Sequence, residues 1–134
     1  GMDIALCCIE ERESQQVKVQ FSGAKRPLYY FSKQELREAK ANKKSIGQIQ
    51  GAEKNYDLHE LILDKGDILY MTTDGWIDII NPERERFGSR QFKEILLKAA
   101  YLPLYTQKEL LLEIMSNYQQ GAEQRDDILV VGVK

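Results

Sequence analysis

The chain has 134 residues, 43% hydrophobic and 30% charged, with a net charge of −2. That length supports one domain with a buried core, and the composition excludes a disordered chain. The near-neutral balance leaves no basic footprint for nucleic acid or an anionic membrane, and no apolar run approaches the roughly 20 residues of a membrane span. Residues 3–10, DIALCCIE, read as a largely buried strand. ERESQQ turns the chain. VKVQFSG then alternates Val17, Val19 and Phe21 with Lys18, Gln20 and Ser22, the period of a half-buried strand. Residues 3–22 are therefore predicted to form a hairpin. Cys7 and Cys8 are strand neighbours that point to opposite faces, so they are poorly placed to bond each other. Two buried thiols in a reducing cytoplasm are expected, and the first residues carry no signal-peptide pattern.

AKRP turns the chain into a third strand, LYYF, rich in the aromatics that strands favour. KQELREAKANKK has only Leu36 and alanine as apolar residues, too few for a buried helical stripe, so a turn and a short strand near 35–40 are predicted. SIGQIQGAEKN is a loop punctuated by Gly47 and Gly51. YDLHELIL is a strand with Leu58, Glu60 and Ile62 on one face and His59, Leu61 and Leu63 on the other. DKGD is a hairpin turn signal, with Gly66 free to take positive φ. ILYMTT is the next strand and ends at Asp74-Gly75.

Two helices follow. Ser89 is the expected cap of one that carries Phe92, Ile95, Leu96 and Ala99. Thr106 and Glu109 have the spacing of a capping box for the other, which carries Leu110, Leu111, Ile114, Met115 and Tyr118 and ends at Gly121. YLPLY separates the two, and DDILVVGV is an acidic loop with a closing strand. The prediction is an α+β domain, with mainly antiparallel sheet and an α-hairpin on one side.

Asp74 sits at the end of one predicted strand, and Asp126-Asp127 lie just before another. If those strands are antiparallel neighbours, the three acids converge, and a hard cation such as Mg²⁺ or Mn²⁺ relieves their repulsion. Gly75 lets the backbone come close to an ion or its water. On these features alone the plainer reading leads: Asp-Gly is a common turn and Asp-Asp a common solvated pair.

The order of segments adds to this. GMDIALC, FSGAKRPLYYF, SIG, KGDILYMTTDGWID and QRDDILVVGV together resemble a PP2C-type (PPM) protein phosphatase domain, of the SpoIIE/RsbU-like bacterial serine phosphatase group, over essentially the whole chain. The most specific elements are G-D-x-L-x-x-x-T-D-G, Gly66 to Gly75, and D-D-x-x-V-V, Asp126 to Val131. The resemblance implies an α-β-β-α sandwich with two Mn²⁺ or Mg²⁺ ions. Asp74 and Asp126 would be metal ligands, and Gly75 and Asp127 would stand beside them. A metal-activated water would hydrolyse a phosphoserine or phosphothreonine protein, such as an anti-sigma-factor antagonist in stress signalling. Lys25 and Arg26, in the S-G-A-x-x-P-L segment, are candidate phosphate contacts, although a loop pair of basic residues is more often merely solvated.

The family's acidic first strand and D-x-x-G-H-G-like segment have no counterpart here, where His59 is the only histidine. The resemblance therefore implies a partial domain lacking its N-terminal third. One ion or none is expected, with little phosphatase activity from the chain alone. A homodimer or another partner is expected over the uncovered sheet face. The alternative is a non-catalytic binding or regulatory module on the same fold. Other candidates have a functional and a plainer reading, and the plainer leads: Trp76 as core rather than shaping the site, Asp78 as solvent-facing rather than near the metals, and Asp3 as a strand start rather than pointing to the metal end; Glu83–Gly88 reads equally as a charged loop or a flap, and His59 as a surface residue on an edge strand.

Overall fold

A computed structural model describes residues 1–47 and 55–134. The chain separates into two compact units, Gly1–Met71 with Lys134, and Thr72–Val133. The Gly51 part of the predicted loop lies outside the described residues.

In the first unit, β1 (Ile4–Glu11) and β2 (Gln16–Ala24) form the predicted hairpin, in register from Ile4↔Ala24 to Glu11↔Val17. β5 (His59–Asp64) joins the other edge of β2, from Gln16↔Asp64 to Phe21↔His59. Its faces divide as the alternation requires: Leu63 is buried and Leu61 half-buried, whereas Leu58 and Ile62 are exposed.

A second sheet contains β3 (Leu28–Ser32), β4 (Glu35–Ala39) and β6 (Ile68–Thr72), with β3 antiparallel to both neighbours. The short strand near 35–40 is thus present. The turn before it places Lys33 and Gln34 at φ 51° and 64°, the left-handed pair a two-residue hairpin needs. The core lies between the sheets. Val19, Phe21 and Leu63 meet Leu28, Ala39 and Leu69, with Ala5, Cys7 and Met71 packed at the margin.

Two expectations fail here. Asp64–Asp67 is a turn, with Asp67 N–H donating to the Asp64 carbonyl and Gly66 at φ +99°, but β5 and β6 enter different sheets. The turn carries the chain between sheets and does not close a hairpin. β1 is also not largely buried. One face packs on the core, and the other leaves Leu6 64% exposed and Cys8 exposed. Of the two thiols only Cys7 is partly covered, and burial, then the neighbouring Cys8, pushes its pKa up.

The second unit carries α1 (Ser89–Ala99), α2 (Leu104–Gln119) and β7 (Val130–Val133). Its centre is aromatic. Trp76 stands 5.0 Å from Phe87 and 5.1 Å from Phe92, and Phe87 meets Tyr118 edge-on at 4.8 Å. Leu96, Ala99 and Leu111 are buried positions of the two helices.

The helices form where predicted, but both caps differ. Gly88, at φ +85°, is the α1 N-cap, and Ser89 is already the first helical residue. α2 starts at Leu104 behind Pro103, so Thr106 falls inside the first turn and makes no cap bond. The interhelical turn is held instead by Gln107, 2% exposed, whose side-chain amide donates to the Leu102 carbonyl at 2.8 Å. At the other end Gln120 takes the left-handed cap, followed by Gly121 at φ +83°.

Candidate functional site

Both acidic segments belong to the second unit, and a short set of hydrogen bonds joins them. Extended backbone ends at Thr72. From Asp74 the chain coils, with Asp78 N–H donating to the Asp74 carbonyl at 3.0 Å. Trp76 follows into the aromatic core, 2% exposed, and this anchors the turn. Asp74 is half-buried at the junction of strand and coil.

The late pair lies on the stretch entering β7. Asp126 and Asp127 are both exposed. Asp127 N–H donates to Asp126 Oδ1 at 2.8 Å, and the Gln124 side-chain amide donates to the Asp126 carbonyl at 2.9 Å. The first of these bonds ties the Asp126 carboxylate to the peptide that follows it.

Thr73 bridges the segments. Its N–H donates to the Leu129 carbonyl at 3.1 Å. Its Oγ1 accepts from Leu129 N–H at 3.0 Å and donates to the Asp127 carbonyl at 2.8 Å. Gly75 completes the contact. A Cβ there would lie 2.2 Å from the Asp127 carbonyl oxygen and 2.8 Å from its carbon. The glycine of T-D-G is therefore required by space, and the close approach it permits is to the Asp127 backbone.

The two motif segments thus meet: Thr73 and Gly75 lie against Asp127, Ile128 and Leu129. Two carboxylates suit a hard cation. However, among the described residues no group of three or more His, Cys, Asp or Glu is placed to hold a metal ion.

The remaining candidates each have their own setting within their unit. Lys25 and Arg26 lie in the first unit, between β2 and β3; Lys25 is exposed at φ 59° and Arg26 is half-buried. Asp78 is not simply solvent-facing, because it pairs with Arg86. Asp3 accepts a hydrogen bond from the Ser45 hydroxyl. His59 is half-buried on β5, its ring 5.8 Å from that of Phe21, so it is less a surface residue than expected.

The Glu83–Gly88 segment is ordered by its neighbours. Asn81 Oδ1 accepts from Glu85 N–H at 2.8 Å, and Phe87 N–H donates to the Ile79 carbonyl at 2.9 Å. Tyr118 of α2 donates its hydroxyl to the Glu85 carbonyl at 3.0 Å. Desolvation, then the Glu85 and Glu83 carboxylates, raises the Tyr118 pKa. Sequence reasoning missed Thr73, Gln107 and Tyr118 as tethers. Only Thr73 carried a signal, its fixed place before Asp-Gly.

Antiparallel β-sheets with a T-D-G strand end, two consecutive helices and a late D-D strand entry are features of a PP2C-like fold. A family model described as Stage II sporulation protein E (SpoIIE) matches residues 3–134, and the chain belongs to that family. Among solved structures, it is similar to the SiaA-PP2C domain of Pseudomonas aeruginosa, with TM-score 0.77 and 33% identity over 86% of this chain and 45% of the other. It also shares its fold with the phosphatase domain of the cell fate determinant SpoIIE from Bacillus subtilis. There the TM-score is 0.63 at 18% identity, over 98% of this chain and 57% of that one. The Mn-presoaked form of that domain gives TM-score 0.56 at 17% identity, with 97% and 56% coverage. The chain therefore spans about half the length of the structures it matches. A search of curated proteins found no match. No helix among the described residues is long and apolar enough to cross a membrane.

Proposed function

We propose that this chain supplies part of the catalytic centre of a metal-dependent protein serine/threonine phosphatase, with Asp74 and Asp126 as carboxylate ligands for Mn²⁺ or Mg²⁺. One observation carries the reading: the bridge from Thr73 to Asp127 and Leu129 places the two motifs beside each other. When bound, such an ion supplies an acidified water able to attack phosphorus. The chain's own part is to bring negative charge to one place, with Asp126 open to solvent for an incoming ion. Asp127 orients the Asp126 carboxylate through its N–H. Neither cysteine has a role, because attack by water needs no covalent nucleophile.

Activity requires more ligands than the described residues bring together. The chain alone is therefore proposed to turn over phosphate esters poorly. The substrate class is a phosphoserine or phosphothreonine protein of a bacterial regulatory pathway, a cytoplasmic setting drawn from the family resemblance. A non-catalytic module on the same fold is the second reading, and the incomplete ligand group favours it for the isolated chain. The test is a Mn²⁺ titration of the chain beside its Asp74→Asn and Asp126→Asn variants. Weaker binding in both supports shared ligation, and equal binding by all three overturns it.

A further inference from the structure

We infer that Thr73 is a positioning residue whose hydroxyl sets the Asp126–Asp127 turn against the segment that carries Asp74. The inference deepens the metal-site reading and rests on it for its functional meaning, but the clamp itself is a statement about this chain's hydrogen bonding.

The local pattern departs from an ordinary strand ladder. Leu129 accepts from Thr73 N–H through its carbonyl, yet its own N–H is met by the Thr73 side chain. The Thr73 carbonyl is taken by the Thr72 hydroxyl instead. A hydroxyl has one proton and two lone pairs, so Oγ1 can accept and donate together. It spends the proton on the Asp127 carbonyl at 2.8 Å. Valine has the same shape without the hydroxyl, and would leave the Leu129 N–H and the Asp127 carbonyl without those partners.

The consequence reaches the carboxylate through one peptide. Thr73 holds the Asp127 carbonyl, Gly75 has no side chain to push it away, and the Asp127 N–H holds Asp126 Oδ1. Thr73 is adjacent in sequence to Asp74, so one side chain ties both candidate ligands to a common frame. Groups that orient metal ligands without touching the metal typically change affinity by about 10–100-fold when removed.

Thr73→Val and Thr73→Ser are compared with the unmodified chain in two readouts. The first is amide hydrogen exchange at Asp127 and Leu129 without metal. Faster exchange at both in Thr73→Val, with the parent pattern kept in Thr73→Ser, supports the clamp. Unchanged exchange in Thr73→Val overturns it. The second is Mn²⁺ affinity. Loss by about tenfold or more in Thr73→Val with near-parental binding in Thr73→Ser supports the positioning role, and equal affinity in the two variants overturns it. If Thr73→Val fails to fold, Thr73→Ser decides: it retains the hydroxyl, so lost protection or lost affinity overturns the inference. If the unmodified chain binds no Mn²⁺ while exchange still separates the variants, the clamp stands and the metal reading is what has failed.

Discussion

Replacing Gly75 by alanine tests whether the two acidic segments are packed as described. The added Cβ would lie 2.2 Å from the Asp127 carbonyl oxygen, 2.8 Å from its carbon and 3.1 Å from Ile128 Cγ1. Ordinary contacts need roughly 3.5 Å, so the segments must part by about 1 Å. The nearest atoms are backbone, so no flexible side chain can swing away. Overpacking of this kind costs about 1–3 kcal/mol. For a chain of this size, ~1 kcal/mol lowers Tm by about 4 °C, which predicts a fall of about 4–12 °C. Circular dichroism melts would measure it. Gly66→Ala is the control: its Cβ meets nothing within 4 Å, but φ is +99°. It carries backbone strain of about 1 kcal/mol without collision, and leaves Asp127 untouched. Amide chemical shifts at Asp127 and Ile128 should move in Gly75→Ala alone. A Gly75→Ala chain that melts within about 1 °C of the parent, with those shifts unmoved, would refute the close approach.

The cysteines should differ in reactivity. Cys8 is exposed, while burial and then the neighbouring Cys8 raise the Cys7 pKa, so less of Cys7 is thiolate at any given pH. Alkylation at mildly alkaline pH, followed by fragment mass spectrometry, should label Cys8 first. Cys7 should gain rate only at higher pH, and Cys8→Ser should move that rise to lower pH; equal labelling of both thiols would contradict the assigned burial. In a phosphatase assay with Mn²⁺ and a generic aryl phosphate, the chain alone should show little turnover. Robust turnover abolished by Asp74→Ala would show that its own ligands suffice.

The order of elements was legible because each strand and helix carried its own period. β2 alternates cleanly, and the Phe92, Leu96 and Ala99 spacing gives α1 one buried face. What failed depended on partners. The Asp64–Asp67 turn looks the same whether the flanking strands pair or diverge, so its chemistry could not reveal that β5 and β6 enter different sheets. The apolar run of β1 suited burial on both faces, but only one is covered. Thr106 has the spacing of a cap, yet Pro103 starts the helix earlier and buried Gln107 holds the turn. At the candidate site, the acids were readable from T-D-G and D-D. The hydroxyl bridge through Thr73 was not, because a side chain replacing a ladder acceptor leaves no period in the sequence.

The claim that Asp74 and Asp126 share one cation is tested most directly by Mn²⁺ binding to the chain, followed by water-proton relaxation. Removing either of two shared carboxylates should weaken binding by about tenfold or more, comparably for Asp74→Asn and Asp126→Asn. The double variant should be little worse than either single variant, because both act on one ion. Parental affinity in both single variants, or loss confined to one of them, would contradict a shared site.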